Sequence, residues 1–499
     1  MTISVRNTVC AALTSAVAAL CSPVGGAAWR VAPEEIQKTP GWMIETGMLP
    51  VDADETECAE VPDDMTLFLL VGQSNMAGRG LVSKECRSVL KNAYKLNRDD
   101  KWVRAGTPVH FDRKTCGVGI AESFVQAFHK DNPGRPVGLI PCAVGGSNSA
   151  TWSPEPPHGI VGVNFYRAVA RARKAMKHGR LAGILWHQGE GDAARCETNT
   201  EYYPRRLKAI AEAFRRELAM PDVPFIVGEI GGLPANHAKV MNPLLSAAAA
   251  GIEKCALVPA ADLTGCLSDR VHFDTPSYYV LGARYYARWK AVAQGGSAAV
   301  AVAADILAGR DLSDFICRGA SPEAVAETFS LTGGVLAANA AHALVLESQE
   351  RFDCENFVLQ AEIRYESDGF ADSGLQFCIE DAGGKCRMIE YQLKTTDIGD
   401  GWGLGGIRAA RSVGEPYRKP NKAGDVRMPR QTAPVCKRGM WHRVSLLKNG
   451  NAISFFFDGV PVNAFVVDGA AAGRIGFQTK PCPEGRGSVS FRNVRMFQL

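Results

Sequence analysis

The sequence predicts a multi-domain chain: an α/β/α domain on a doubly wound parallel sheet, followed by an all-β jelly-roll sandwich. Three observations predict it. Between about Thr66 and Gln294 short apolar runs alternate with longer helical patterns, the order of a parallel sheet covered on both faces. Beyond Gly295-Gly296-Ser297 the hydrophobic period falls to two, as in antiparallel strands with one apolar face. A length of 499 residues, 46% hydrophobic and 22% charged, suits several globular cores and excludes disordered, collagen-like and coiled-coil chains. The 56 Lys+Arg against 52 Asp+Glu leave a net charge of +4, too small at this length to imply nucleic acid.

At the N-terminus, Arg6 precedes an apolar run from Val9 to Leu20, and Gly25-Gly26-Ala27-Ala28 follows. This is the pattern of a secretory signal over 1–28 and predicts a secreted or periplasmic protein, with 29–64 as a linker. The run is shorter than the ~20 residues of a membrane span and contains Thr14 and Ser15, so no span is expected. Leu67 to Val71, Val137 to Ile140, Gly183 to Trp186, Phe225 to Glu229 and Ala256 to Ala260 read as buried parallel strands. Phe165 to His178, Tyr202 to Met220 and Pro276 to Ala293 read as helices, the last opened by its proline. These elements define a first domain over 65–295 and, after a linker at 296–304, a second over 305–499. There Phe357, Leu359, Ala361, Ile363 and Tyr365 alternate with Val358, Gln360, Glu362 and Arg364, which reads as a half-solvated strand. Asn449-Gly450 and Asp458-Gly459 separate three further strands, and such dipeptides accept the positive φ of tight hairpins, so a meander is expected.

Two of the 15 cysteines, Cys10 and Cys21, lie in or beside the signal run, so the remainder is odd and at least one thiol stays free. Proximity alone suggests Cys58 with Cys86, Cys255 with Cys266 and Cys378 with Cys386, against buried inert thiols as the plainer reading. No Cys-x-x-Cys and no His-Glu-x-x-His occurs, so no metal site is expected.

The chemistry gathers at strand ends, where an α/β sheet exposes its ligands. Ser74 in Gly72-Gln73-Ser74-Asn75-Met76 follows the strand Leu67 to Val71. Alone it could be an ordinary turn. Asp269-Arg270-Val271-His272 follows the last strand, and its spacing can bring carboxylate and imidazole to one side of a loop. A histidine can take a serine proton while the aspartate holds its tautomer. Gly146, in Val144-Gly145-Gly146-Ser147, and Gln188, in Trp186-His187-Gln188-Gly189-Glu190, also lie at strand ends. The first offers a backbone N–H and the second an amide to an oxyanion. His187 reads as a packed, hydrogen-bonded residue; Trp152 reads either as a wall of a sugar site or as core.

Leu-Leu-Val-Gly-Gln-Ser-Asn-Met-Ala-Gly-Arg (69–79), Pro-Cys-Ala-Val-Gly-Gly-Ser (141–147), Trp-His-Gln-Gly-Glu (186–190) and Asp-Arg-Val-His-Phe (269–273) resemble the four blocks of the SGNH-hydrolase clan. The nearest branch is the sialate O-acetylesterase and carbohydrate esterase family 6 group. The resemblance implies Ser74 as nucleophile, His272 as base and Asp269 as its partner. It implies an oxyanion hole from the Ser74 N–H, the Gly146 N–H and the Gln188 side chain, Gln standing where most of the clan has Asn. Gln73, Asn75 and Trp152 would contact substrate, and neither metal nor organic cofactor is required. Gly191 departs from the branch, which often has Ser between the Glu and the Asp, and Glu190 and Asp192 receive no catalytic role.

Over nearly all of 305–499, segments such as Glu355-Asn356-Phe357-Val358-Leu359, Asp372-Ser373-Gly374-Leu375-Gln376-Phe377 and Gly473-Arg474-Ile475-Gly476-Phe477 resemble the 3-keto-disaccharide hydrolase domain, a concanavalin-like jelly roll. Asp372 and Glu390 are its candidate acids or strand-edge residues, and Trp402 and Trp441 are stacking surfaces or core. The whole then reads as a secreted serine esterase that removes O-acetyl groups from a carbohydrate of the acetylated xylan or sialic acid type. The alternatives are a glycoside-processing enzyme with the esterase as accessory, and a carbohydrate-binding protein with a vestigial esterase site. The oligomeric state stays open.

Overall fold

A computed structural model describes residues 57–82, 89–155, 159, 161–233, 235, 237–296, 303–353, 355–366, 371–382, 385–395, 404, 406–410, 425–428, 434, 436–466, 472–481 and 487–499. The expected signal and most of the linker after it lie outside these residues, as do Cys86 and Trp402.

The first domain is built on a seven-stranded sheet: β1 (Met65–Gly72), β2 (Val89–Leu96), β3 (Trp102–Gly106), β4 (Val137–Pro141), β5 (Gly179–His187), β6 (Phe225–Gly228) and β7 (Cys255–Val258). The strand order is β3-β2-β4-β1-β5-β6-β7. Six strands run parallel, but β3 pairs antiparallel with β2 at the edge, so the sheet is mixed rather than wholly parallel. The sequence reading missed β2 because Lys91, Asn92 and Lys95 interrupt its apolar pattern; Lys95 is nevertheless fully buried, its ammonium donating to Pro108 O at 2.9 Å.

Helices cover both faces, as the apolar strands require. Phe68 and Leu70 of β1 face a core shared with α1 (Ala121–Asp131), while Leu67, Leu69 and Val71 face α2 (Val163–Ala175), α3 (Tyr202–Glu217) and α4 (Ala238–Ala250). The last helix, α5 (Thr275–Gln294), starts where the Asp274 carboxylate accepts from the Ser277 N–H at 3.0 Å and Pro276 sits in the first turn.

Buried Glu122 on α1 makes this layer sensitive to pH. Burial raises its carboxyl to about 7, against bonds from Thr107 Oγ1 at 2.6 Å and Gly119 N–H at 3.2 Å. The folded protein therefore holds a proton that the unfolded chain releases near pH 4.5. The associated stability is complete below that pH and is lost as pH rises through about 7, to a total of about 3 kcal/mol. Glu122→Gln is expected to be more stable than wild type at pH 8 by about that amount, and no more stable at pH 4. Urea titrations of both proteins at both values check this, and equal midpoints at pH 8 would rule it out.

The second domain is a sandwich of two antiparallel sheets. One runs Phe329–Thr332, Val335–Ala338, Val489–Gln498, Asn356–Tyr365, His442–Asn449, Ala452–Phe457, Val460–Val466 in space, and contains the expected meander. Its turns carry positive φ at Gly450, Asp458 and Gly459. The other centres on Lys385–Gln392, Asp372–Ala382 and Ala472–Lys480, and the core between the sheets includes Phe357, Phe377, Phe455 and Phe477.

The strand Asn356–Tyr365 corrects one expectation. It is buried on both faces over much of its length, because Val358, Leu447, Phe456 and Phe497 join the core of Tyr278, Tyr279 and Tyr285 on α5. The face expected to meet water meets the first domain. Cys255 and Cys266 remain separate thiols, which overturns that suggested pair; the other two pairs each include a residue whose side chain lies outside the described set. Among the described residues no helix is long and apolar enough to cross a membrane.

Candidate active site

In this sheet the connection from β1 leads one way and that from β5 the other, which opens a crevice at their C-terminal ends. Strand β1 leaves the sheet through Gly72, whose φ is 140°. A Cβ there would lie 2.1 Å from His187 O, so only glycine lets the chain turn beside β5. Gln73 follows, and Ser74 opens a single helical turn, Ser74–Ala77.

The Ser74 hydroxyl lies 2.8 Å from His272 Nε2, and His272 Nδ1 lies 2.6 Å from Asp269 Oδ2. These distances fit a tautomer in which Nδ1–H donates to the carboxylate and Nε2 accepts from the serine. Asp269 Oδ1 also accepts from the Val271 and His272 N–H groups, at 2.9 and 3.0 Å. Partial burial works to raise the Asp269 carboxyl, but the His272 and backbone bonds outweigh it and hold it at about 2. The carboxylate is thus charged at any pH above that value and loses this support only as pH falls to it.

Among the described residues neither the Ser74 nor the Gly146 backbone N–H has an acceptor, and Gly146 is exposed with a φ of 77°. The turn carrying Gly146 is tied down by a side chain that sequence reasoning missed. Asp112 is buried, accepts from the Gly145 N–H at 2.7 Å, and pairs with Arg79 Nη2 at 2.8 Å. Burial would raise the Asp112 carboxyl, but Arg79 dominates and keeps it below the usual range. Cys116 adds a bond to Asp112 at 2.8 Å, and burial pushes that thiol up to about 12. Nothing in the local pattern around Asp112 marks this role, since Arg79 and Gly145 each lie 33 positions away, in two other segments.

Gln188, expected as the third donor, has its amide in use. It is fully buried, and Nε2 donates to Asp192 Oδ2 at 2.8 Å and approaches Gln73 Oε1 and Ser147 O, both at 3.3 Å. Its carbonyl accepts from Tyr203 OH at 2.9 Å. The nearby carboxylate takes the amide of Gln188, and Gln73 Oε1 also lies 3.3 Å from the Gly191 N–H. Asp192 also accepts twice from Ser149, at 2.8 Å each, which joins the loop after β4 to the loop after β5. Gly191 fits the same junction: a Cβ there would meet Ser147 O at 2.7 Å, which explains why no serine stands at this position.

Asn75 and Trp152, the other expected substrate contacts, are both fully buried. Asn75 donates to Glu190 Oε1 at 2.7 Å and Val271 O at 3.2 Å, and accepts from Tyr278 OH at 2.8 Å. It pins the serine segment to the histidine loop. Trp152 donates to Ser147 Oγ at 3.0 Å and packs edge-on against Trp186, so of its two readings the core one holds. His187 is a core residue as expected: it is fully buried, burial lowers it to about 3, and its Nδ1 lies 3.1 Å from Tyr285 OH. Burial raises the Glu190 carboxyl, only partly offset by the Asn75 bond and the neighbouring His272.

In the second domain Glu390 is buried and accepts from Gln376 Nε2 at 2.9 Å, while Asp372 pairs with Lys480 at 3.0 Å. The guanidinium groups of Arg364 and Arg492 stack over the Trp441 ring, at 4.7 and 4.0 Å from its centre. Among the described residues no cluster of His, Cys, Asp and Glu could hold a metal ion.

Residues 64–290 match the family model described as carbohydrate esterase, sialic acid-specific acetylesterase. Residues 303–496 match that of a 3-keto-alpha-glucoside-1,2-lyase-like domain. An Arabidopsis thaliana protein named "Probable carbohydrate esterase At4g34215" is 28% identical over 263 residues, 48% of this chain and 95% of that protein. Its X-ray structure aligns at 25% identity with a TM-score of 0.38, covering 46% of this chain and 98% of the other. A carbohydrate acetylesterase structure from Xanthomonas citri aligns at 14% identity with a TM-score of 0.35, covering 81% and 80%.

Proposed function

We propose, from the premise that this chain carries a carbohydrate esterase domain over 64–290 and a 3-keto-alpha-glucoside-1,2-lyase-like domain over 303–496, that it is a serine esterase removing O-acetyl groups from a carbohydrate. The observation that carries the reading is the chain of short contacts Ser74–His272–Asp269 at the open end of the sheet. In clan terms the first domain is an SGNH hydrolase, and the sandwich is a jelly roll serving glycan binding or glycoside processing. The Arg6 and Val9 to Leu20 pattern adds export to the proposal.

In this mechanism Ser74 Oγ attacks the acetyl carbonyl carbon as its proton passes to His272 Nε2, and Asp269 stabilises the imidazolium. The carbonyl oxygen takes the negative charge, facing the Ser74 and Gly146 N–H groups. Both donors matter to this reading, because removing one such donor typically costs about 10²–10³ in rate. Collapse breaks the ester C–O bond, and His272 returns the proton to the departing sugar hydroxyl. Water then gives a proton to the same nitrogen as it attacks the acetyl-serine; collapse breaks the acyl C–Oγ bond, His272 returns that proton to Ser74 Oγ, and acetic acid leaves and ionises to acetate.

Acetate release from acetylated xylan and from an O-acetylated sialic acid, by wild type and by Ser74→Ala, tests the reading. Release by wild type alone is the expected result, and the faster substrate identifies the sugar class. Equal release by both proteins would refute a serine mechanism.

A further inference from the structure

The sandwich reaches the loop that carries the acid–base pair. We propose that the hairpin turn Asp458-Gly459, with Val460, is a positioning element for the Asp269–His272 loop, which makes the second domain a working part of the esterase. The inference rests on the roles given above to Ser74, Asp269 and His272.

The loop is a small hairpin of its own. Cys266 and Phe273 form an isolated antiparallel bridge, Leu267 N–H donates to His272 O at 2.9 Å, and Arg270 N–H donates to Leu267 O at 3.0 Å. Asp269 and Arg270 form the exposed tip, Arg270 with a φ of 63°. On its inner side Phe273 is anchored in the α/β core. On its outer side the loop meets the sandwich turn. A Cβ on Gly459 would come within 2.8 Å of Cys266 O and 3.3 Å of Asp274 Cβ, and the Gly459 φ of 80° also favours glycine. The turn therefore lies directly on the backbone at the base of the hairpin.

Val460 extends the contact to both halves of the site. It packs against the small cluster formed by Leu267, two residues before Asp269, and Leu81, on the segment that follows Ser74. Arg443 Nη2 reaches Thr264 Oγ1 at 3.4 Å on the same loop. The turn is braced from its own sheet: Asp458 Oδ1 accepts from the Arg443 N–H at 2.8 Å, and Oδ2 lies 2.7 Å from His442 Nδ1. The Asp458 bond raises His442 to about 10, so this ion pair persists through neutral pH. Such bracing matters to catalysis, because moving a reacting group by about 1 Å can cost about 10²-fold in rate.

The test uses the full chain with Gly459→Val, Val460→Ala and Val460→Ile, assayed on a small activated acetate ester, with amide hydrogen exchange measured on the same samples. Gly459→Val is expected to lower kcat about tenfold or more with KM within about twofold. Val460→Ala should lower kcat a few-fold, and Val460→Ile should restore it. The Leu267 and Arg270 amides should exchange faster in Gly459→Val and Val460→Ala, while those of β1 and β5 keep their protection. Wild-type kcat together with unchanged exchange in Val460→Ala would overturn the proposal, even if Gly459→Val fails to fold. An inactive wild type would remove the esterase reading, and the exchange comparison would still decide whether the turn holds the loop.

Discussion

Replacing His272 by alanine is expected to lower kcat for ester hydrolysis by about 10⁴-fold or more. Adding Ser74→Ala to it should cost little further. The reason lies in the geometry: Ser74 Oγ has one nitrogen at 2.8 Å to receive its proton, and that nitrogen belongs to the ring held by Asp269 at 2.6 Å. A hydroxyl without its base is a poor nucleophile, and a base without its hydroxyl has no proton to move. Residues that act as one unit give strongly non-additive losses. Initial rates of the two single variants and the double variant on one acetate ester check this. Losses that multiply, or a His272→Ala protein retaining more than a tenth of the rate, would show that the contacts are not catalytic.

Asp112→Ala should produce the largest loss of stability. It removes the carboxylate from a pair buried to 6% and 2% side-chain exposure and leaves the Arg79 guanidinium without its counter-charge. Breaking one side of a buried pair typically costs 3–5 kcal/mol, or on the order of 10 °C in the melting temperature of a domain this size. The same change frees the Gly145 N–H, so the Gly146 turn loosens and kcat should fall about tenfold or more in the protein that remains folded. Arg79→Met combined with Asp112→Leu should recover much of the stability, since an apolar replacement leaves no buried charge, but not the turn and therefore not the rate. Calorimetry and steady-state kinetics on the three proteins separate the two effects. A single variant that melts within a degree of wild type would show that the pair contributes nothing net.

Legible in the sequence alone were the α/β order, five of the seven strands of the first sheet, the meander of the second domain and the Ser74, Asp269 and His272 candidates. Each is a local property. Strand apolarity reports a position between two helical layers, Asn-Gly and Asp-Gly report a turn, and Asp269 and His272 lie close enough in sequence for one loop to join them. Tertiary structure decided what each polar side chain is bonded to. Gln188, Asn75 and Trp152 are residue types suited to binding a ligand, yet neighbours 4 to 196 positions away use their polar groups: Asp192, Glu190, Val271 and Ser147. Arg79 and Asp112 are linked across 33 positions, and no periodicity marks such a pair. Tertiary structure also decided which face of Asn356–Tyr365 is wet. Alternation in a strand tells which residues share a face, whereas the identity of the body covering that face depends on how two separately legible domains dock.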